Sequence, residues 1–332
     1  MKRLTIVACL IFCISVLSAF NVTAKTQLTY ANFFPPSHIQ SQLAESWCKE
    51  VEKRTNGEIT IKYFPAGTLT KASQTYDGVV QGIADIGMTV LAYTRGRFPV
   101  SEAIDLPMDY KSGAQATEVA NAIVAKFNPK EFHDTSLMYL HAHGPGLIHT
   151  VDKKVTTMKD LAGLKIRSTG TSGKVVAALG ASPVGKPMRE AYQMLQKGVV
   201  DGSIHPIEAN LGWKLGETVK YAVKTNFCIY TTTFAIFMNK NRWNKLTSEQ
   251  QKIINEINAE WSVKHGQGWD DADKAGLEFL KSKGGELIVL SDEESKKWQD
   301  VSVTPVIDGY IKKVAEKGID GKAVVDFIKS KI

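Results

Sequence analysis

The chain has 332 residues, 43% hydrophobic and 23% charged, with 26 glycines, 11 prolines and 4 cysteines. Such values exclude a disulfide-stapled miniprotein, a collagen-like or coiled-coil fibre and a disordered tail protein. The formal net charge of +7 is spread along the chain without a Lys/Arg block, which argues against nucleic acid as a partner.

The N-terminus reads as an export signal. Lys2 and Arg3 precede an apolar run from Leu4 to Phe20, and Val22-Thr23-Ala24 closes it with small residues. A secretory signal peptide over 1–24 is expected, with cleavage before Lys25 and a mature protein outside the cytoplasm. The run is short for a membrane span, and no later stretch approaches the ~20 apolar residues one needs. Cys9 lies too close to Arg3 for a lipoprotein signal. Cleavage leaves 308 residues, a formal charge of +5 and two cysteines, Cys48 and Cys228. Both sit in apolar surroundings, so two buried thiols are expected rather than a disulfide. At this length about two domains are expected.

Gln27–Tyr30 reads as a first strand, followed by a helix capped by Ser37 with Ile39, Leu43, Trp47 and Val51 on one face, closed by Gly57. Glu58–Phe64 alternates as a second strand. A turn at Pro65-Ala66-Gly67, a helix around Ser73–Gln81 and a strand at Asp85–Val90 follow. This strand–helix–strand spacing predicts parallel strands with crossover helices. The pattern restarts with extended segments at Ser136–Ala142 and Leu147–Thr150, a buried strand at Leu164–Ser168, a helix at Ser172–Leu179, a strand at Ser182–Val184 and a helix at Arg189–Lys197. Val199–Ile204 follows, and Phe227–Met238 reads as one long strand able to pass between domains. No internal repeat or low-complexity linker interrupts the chain, so several short crossings are expected. Thr247 and Gln250 form a capping-box signal. Proline-free helical sequence then runs to Gly284-Gly285, roughly 50 Å at 1.5 Å per residue. It either breaks at Gly266 or Gly268 or lies across both domains.

Catalytic signatures are mostly absent: no HExxH, CxxC, GxSxG or GxGxxG occurs. Gly170-Thr171-Ser172-Gly173-Lys174 has the wrong first-glycine spacing for a phosphate loop, and Val175 stands where Ser/Thr would hold magnesium. His133, His141, His143 and His149 cluster, but no cysteine or acid pair flanks them, so ordinary strand histidines are expected rather than a metal site. The best acid–base pair for a rival reading, a secreted enzyme, is His205 with Glu208. Arg167 stands apart. It ends the buried strand Leu164-Lys165-Ile166 just before Ser168-Thr169-Gly170 opens toward a helix. Ligands of open α/β sheets bind beyond the carboxyl ends of strands, and a guanidinium there suits a carboxylate. An Arg paired to a buried acid within one domain is the equally weighted alternative.

Several motifs then occur in a fixed order: Asn56-Gly57-Glu58, Tyr76-Asp77, Gly82-Ile83-Ala84-Asp85-Ile86-Gly87, Leu161–Arg167, Leu179–Val184 and Leu195–Gly202. Together they resemble the DctP-type solute-binding proteins of TRAP (tripartite ATP-independent periplasmic) transporters, over essentially the whole mature chain. The resemblance implies an α/β, two-lobed periplasmic binding protein fold with the long helix spanning both lobes, closing on an organic anion. It implies lobe I at 25–145 plus 231–271, lobe II at 146–230 plus 272–332, and a ligand cleft between them. It further implies a non-enzymatic, periplasmic protein, a small carboxylate ligand, small and large integral membrane subunits as partners, no cofactor and a monomer. Arg167 stands where the family clamps the carboxylate. Leu147 and His205 occupy positions where the sialic-acid branch carries an arginine and an asparagine. That departure disfavours a polyhydroxylated acid and favours a monocarboxylate with a less polar body. Phe33, Phe34, Tyr93, Met188, Trp213 and Phe234 are candidates for its wall, each equally able to be core.

Overall fold

The computed structural model describes residues 25–332, and the signal-peptide reading lies outside them. Two sheets form the frame. The first has the order β2-β1-β3-β10-β4, built from β1 (Thr26–Ala31), β2 (Ile59–Phe64), β3 (Ile86–Val90), β4 (Thr135–Ala142) and β10 (Thr233–Asn239). The second has the order β11-β9-β5-β8-β6-β7, built from β5 (Gly146–Thr150), β6 (Lys165–Ser168), β7 (Ser182–Gly185), β8 (Gly202–Pro206), β9 (Tyr221–Lys224) and β11 (Glu286–Val289). The expected parallel pairing holds for β1 with β2 and β3, and for β6 with β7 and β8. Both sheets are nevertheless mixed. β10 runs antiparallel to β3 and β4, and β5 antiparallel to β8 and β9, because each enters from the other lobe.

The helices are α1 (Ile39–Arg54), α2 (Thr75–Val80), α3 (Gly113–Phe127), α4 (Gly170–Ala178), α5 (Met188–Gln196), α6 (Ala209–Gly212), α7 (Lys240–Asn244), α8 (Ser248–Ser282), α9 (Asp292–Ala315) and α10 (Gly321–Lys329). None among the described residues is long and apolar enough to cross a membrane. The cap of α1 is His38 rather than Ser37, since the His38 Nδ1 accepts the Gln40 N–H. The run read as one strand from Phe227 becomes a strand only at Thr233. Before it the backbone spends its bonds on the crossing itself, with Tyr230 O accepting from Gly146 N and Thr232 O from His143 N.

Three segments thus pass between the sheets: the link from β4 to β5, the link from β9 to β10, and α8. The long helix does not break. Its Thr247–Gln250 capping box forms, and it runs 35 residues through Gly266 and Gly268. Neighbours press close at those glycines: a Cβ on Gly266 would meet Thr117 of α3, and one on Gly268 would meet Leu43 of α1. Gly276 lies against the backbone of Ile207 and Glu208 in the second lobe. The C-terminal helices straddle the seam as well. Tyr310 donates to Pro99 O at 2.9 Å, while Glu294 of the same helix accepts the Met158 N–H at 2.6 Å. Cys48 and Cys228 are free, buried thiols, and burial pushes the Cys228 thiol up to about 12.

Candidate functional site

β6, β7 and β8 run parallel, so their carboxyl ends open on one edge of the second sheet, facing the ends of β1 and β3 in the first. Arg167 lies one residue from the end of β6. Immediately after it the Thr169–Ser172 capping box starts α4 and turns the chain away. The Arg167 side chain is 3% exposed, and its Nε donates to Lys186 O at 2.8 Å. No Asp or Glu among the described residues pairs with it, so the intradomain ion pair that the sequence left open does not form. What faces it is a narrow cavity of about 30 Å³, well below the roughly 300–1,000 Å³ of a small-ligand pocket, so the two lobes are drawn close together around it.

The walls come from both lobes. Phe33 and Phe34 follow β1, held in a tight turn by the Phe34 N–H bond to Asn32 Oδ1 at 2.9 Å, their rings stacked at 4.6 Å. Trp213, just after α6, lies 6.2 Å from Phe33 and 5.5 Å from Phe34. Phe234 opens β10 and stacks on Trp269 of α8 at 5.0 Å. Tyr93 follows β3, and Met188 begins α5. His143 and Tyr230 come from the two crossing links. Both links and α8 therefore touch the ligand space directly, which is the arrangement needed to couple occupancy to lobe position.

Of the residues singled out in the sequence, the cavity gathers Phe33, Phe34, Tyr93, Arg167, Met188, Trp213 and Phe234, together with His143 and Glu208, which were read there as a strand histidine and as half of an acid–base pair. It does not gather Leu147 or His205. These two face each other across β5 and β8, and the pairing of Arg167 with Ser203, two residues before His205, puts them on the same sheet face as Arg167, yet neither reaches the cavity lining. Leu147 packs with Ala191, Met194 and Leu280. His205 is fully buried, stacked on His149 at 3.7 Å, with Nδ1 3.0 Å from Ser203 Oγ. Burial, then His149 and Arg167, hold its pKa well below the usual histidine value, so it is a neutral core group. Nor do His205 and Glu208 form an acid–base pair. Glu208 instead meets His38, with Oε2 3.0 Å from Nε2 and off the ideal hydrogen-bond direction. The other clustered histidines also spend their nitrogens on structure: His141 Nδ1 accepts from Trp269 Nε1 at 3.0 Å, and His149 Nδ1 lies 3.2 Å from Leu147 O. Among the described residues no three His, Cys, Asp or Glu side chains converge as metal ligands.

Sequence reasoning missed Trp269, Tyr230, Thr232 and Thr169 as lining residues. Trp269 was findable in principle, as the tryptophan nearest the middle of a helix expected to cross both lobes.

A mixed two-sheet frame bridged by one long helix, closing on an arginine-marked aromatic cleft, defines a two-lobed extracytoplasmic binding protein. Residues 30–313 match the family described as bacterial extracellular solute-binding protein, family 7 (DctP), and the chain belongs to that family. It is similar to a TRAP periplasmic solute-binding protein from Desulfovibrio salexigens, 35% identical with a TM-score of 0.81, covering 93% of this chain and 96% of that one. A TRAP solute-binding protein from Rhodoferax ferrireducens, with copurified benzoate, is 28% identical with a TM-score of 0.87, covering 92% and 97%. A marine metagenome TRAP protein specific for aromatic acid ligands, in complex with metahydroxyphenylacetate, is 30% identical with a TM-score of 0.88, covering 92% and 98%. The protein is thus a TRAP solute-binding component for small organic acids, acting outside the cytoplasm.

Proposed function

We propose that this protein captures a monocarboxylate with an aromatic or otherwise apolar body in the periplasm. It then delivers it, as a monomer, to the small and large integral membrane subunits of its transporter. The observation that carries this reading is Arg167: a buried guanidinium with no acidic partner among the described residues, opening on a cavity walled by Phe33, Phe34, Trp213, Phe234 and Trp269. A buried cation is costly without a counter-charge, and a ligand carboxylate supplies one in a two-pronged geometry that guanidinium matches. The rings then enclose the rest of the ligand, where each apolar square ångström removed from water contributes about 25 cal/mol. The benzoate and metahydroxyphenylacetate held by similar proteins support the same chemistry. The lobes divide as 25–145 plus 231–271 and 146–230 plus 272–332, and they hinge at the crossings. The reading is of a binder and not of an enzyme, in keeping with the solute-binding family to which the chain belongs.

The test is ligand identity followed by affinity. Protein purified from an exporting host is denatured and its released small molecules are read by mass spectrometry. Ligand-free protein is then titrated with benzoate and with glucuronate as a polyhydroxylated control. Binding only the folded state at a hundredfold excess over Kd raises stability by about 2.7 kcal/mol, so benzoate should raise the melting temperature clearly. Tight binding of glucuronate and none of benzoate overturns the reading.

A further inference from the structure

Beyond Arg167, the polar groups that line the cavity have an unusual balance. Glu208 lines it too, 3% exposed, and it does not pair with Arg167. Between the two charges lies the aromatic wall. Tyr93 neighbours Phe33 at 5.8 Å, Phe33 neighbours Trp213 at 6.2 Å, and Trp213 neighbours His38, the partner of Glu208, at 5.9 Å. His38 Nδ1 is occupied as an acceptor for the Gln40 N–H, which leaves the ring proton on Nε2 toward Glu208. His143, also in the lining, has Nδ1 2.5 Å from Gly144 O, so that nitrogen carries the proton and Nε2 is left as an acceptor. Burial holds the His143 ring neutral, with a pKa lowered to about 4.

We infer that Glu208 reads a hydrogen-bond donor on the ligand, so that the site takes a hydroxy-substituted aromatic monocarboxylate and refuses a dicarboxylate. This rests on the monocarboxylate reading above. One end of the ligand satisfies Arg167. The lining hydroxyls of Tyr93 and Tyr230 stand beside Arg167, so a second carboxylate reaching Glu208 would meet a buried carboxylate, with no donor of its own to offer it, and a buried charge so placed is strongly penalised. A hydroxyl donates to Glu208 at the same place through a charge-assisted bond.

The experiment is calorimetry of wild type and Glu208→Gln with benzoate, the three hydroxybenzoates and the three benzenedicarboxylates. The quantity read is the affinity ratio within each protein. In wild type the best hydroxybenzoate should bind at least about tenfold more tightly than benzoate, as expected for a hydrogen bond to a charged group. No benzenedicarboxylate should reach the affinity of benzoate. In Glu208→Gln the hydroxyl preference should shrink to within about threefold, and a benzenedicarboxylate should gain, because the amide offers an N–H donor. Wild type that binds benzoate but shows no hydroxyl preference, or that binds a benzenedicarboxylate as tightly, overturns the inference and leaves the monocarboxylate reading standing. Unchanged ratios in Glu208→Gln also overturn it. No binding of any of the seven acids to wild type overturns both. Should Glu208→Gln fail to fold, the wild-type ratios alone decide.

Discussion

The hydroxyl of Tyr93 accepts the backbone N–H of Met188 at 3.0 Å, joining the end of β3 in one lobe to the start of α5 in the other. The next residue repeats the move, with Arg189 donating to Ala66 O. Tyr93 and Met188 both line the cavity beside Arg167. One of the bonds that join the lobes is thus built into the ligand wall.

Tyr93→Phe keeps the ring and removes the acceptor. A typical intramolecular hydrogen bond contributes about 0.5–1.5 kcal/mol, so the variant should bind its carboxylate roughly 2–12-fold more weakly. The loss should fall on dissociation rather than association, since the bond forms after encounter. Stopped-flow displacement separates the two rates. A dissociation rate equal to wild type would mean that Met188 N–H is satisfied without Tyr93 and that this contact does not latch the lobes.

The long helix makes a second expectation sharp. A methyl on Gly276 would lie 2.3 Å from Ile207 O and 2.5 Å from Glu208 Cα, both backbone atoms that cannot swing aside. Gly276→Ala should therefore cost about 1–3 kcal/mol through overpacking and lower the melting temperature by several degrees. Gly309→Ala is the control. It lies inside α9 with nothing within 4 Å, where alanine should be neutral or stabilise by about 0.5–1 kcal/mol. Melting curves in which the two variants behave alike would show that α8 does not need to approach the second lobe so closely.

Stability should peak near pH 6.5. Burial keeps His141, His143, His149, His205 and His265 neutral, lowering His143 to about 4 and both His149 and His265 to about 3. The folded state therefore binds fewer protons than the unfolded chain below about 6.5, and the stability present above that pH is lost as acid is added. Glu102, Asp105 and Asp273 act oppositely. Burial first, with neighbouring carboxylates for Glu102 and Asp273, raises them to about 8, about 7 and about 8. Their contribution is present at low pH and lost as pH rises toward 8. Burial raises Glu131 as well, so five histidines act against four carboxyls below about 6.5, and the carboxyls dominate from there toward 8. Asp105→Asn keeps an acceptor for Thr233 and should flatten the decline up to pH 7. Chemical denaturation across pH 4–9 measures both limbs. A monotonic rise through pH 8 would contradict the assignment.

How much of this was legible in the sequence depends on how local the signal is. The capping box at Thr247–Gln250 and the one-faced apolar steps of α1 involve residues three or four apart, and both formed. Arg167 was visible because strand, arginine and helix start are contiguous. His205 and Leu147 share the sheet face of Arg167 but lie outside the cavity lining, because His205 stacks on His149 and Leu147 packs with Ala191, Met194 and Leu280, contacts between residues far apart in the chain that no local pattern encodes. Residues 227–232 satisfied every local criterion for a strand, yet their hydrogen bonds went to the crossing link. The family resemblance placed the cleft. It did not show that Glu208 would turn to His38 across the lobes.

The sharpest expectation concerns Arg167. Its guanidinium is buried, holds Lys186 O through Nε, and has no acidic partner among the described residues. In the ligand-free closed form that is an uncompensated cation, so replacing it should cost the unliganded protein little: about one lost hydrogen bond, offset by relief of desolvation. The liganded protein loses far more. Removing one member of a buried charge pair strands the ligand carboxylate and costs about 3–5 kcal/mol, roughly a hundredfold to several thousandfold in affinity. Arg167→Ala should therefore nearly abolish carboxylate binding while the ligand-free melting temperature stays close to wild type. Arg167→Lys restores the charge but not the two-pronged geometry, and its ammonium is more strongly hydrated, so rescue should be partial. Calorimetry and melting curves on the three proteins side by side measure both quantities. Near-normal binding by Arg167→Ala would mean the carboxylate is held elsewhere, and failure of that variant to fold would make the arginine structural.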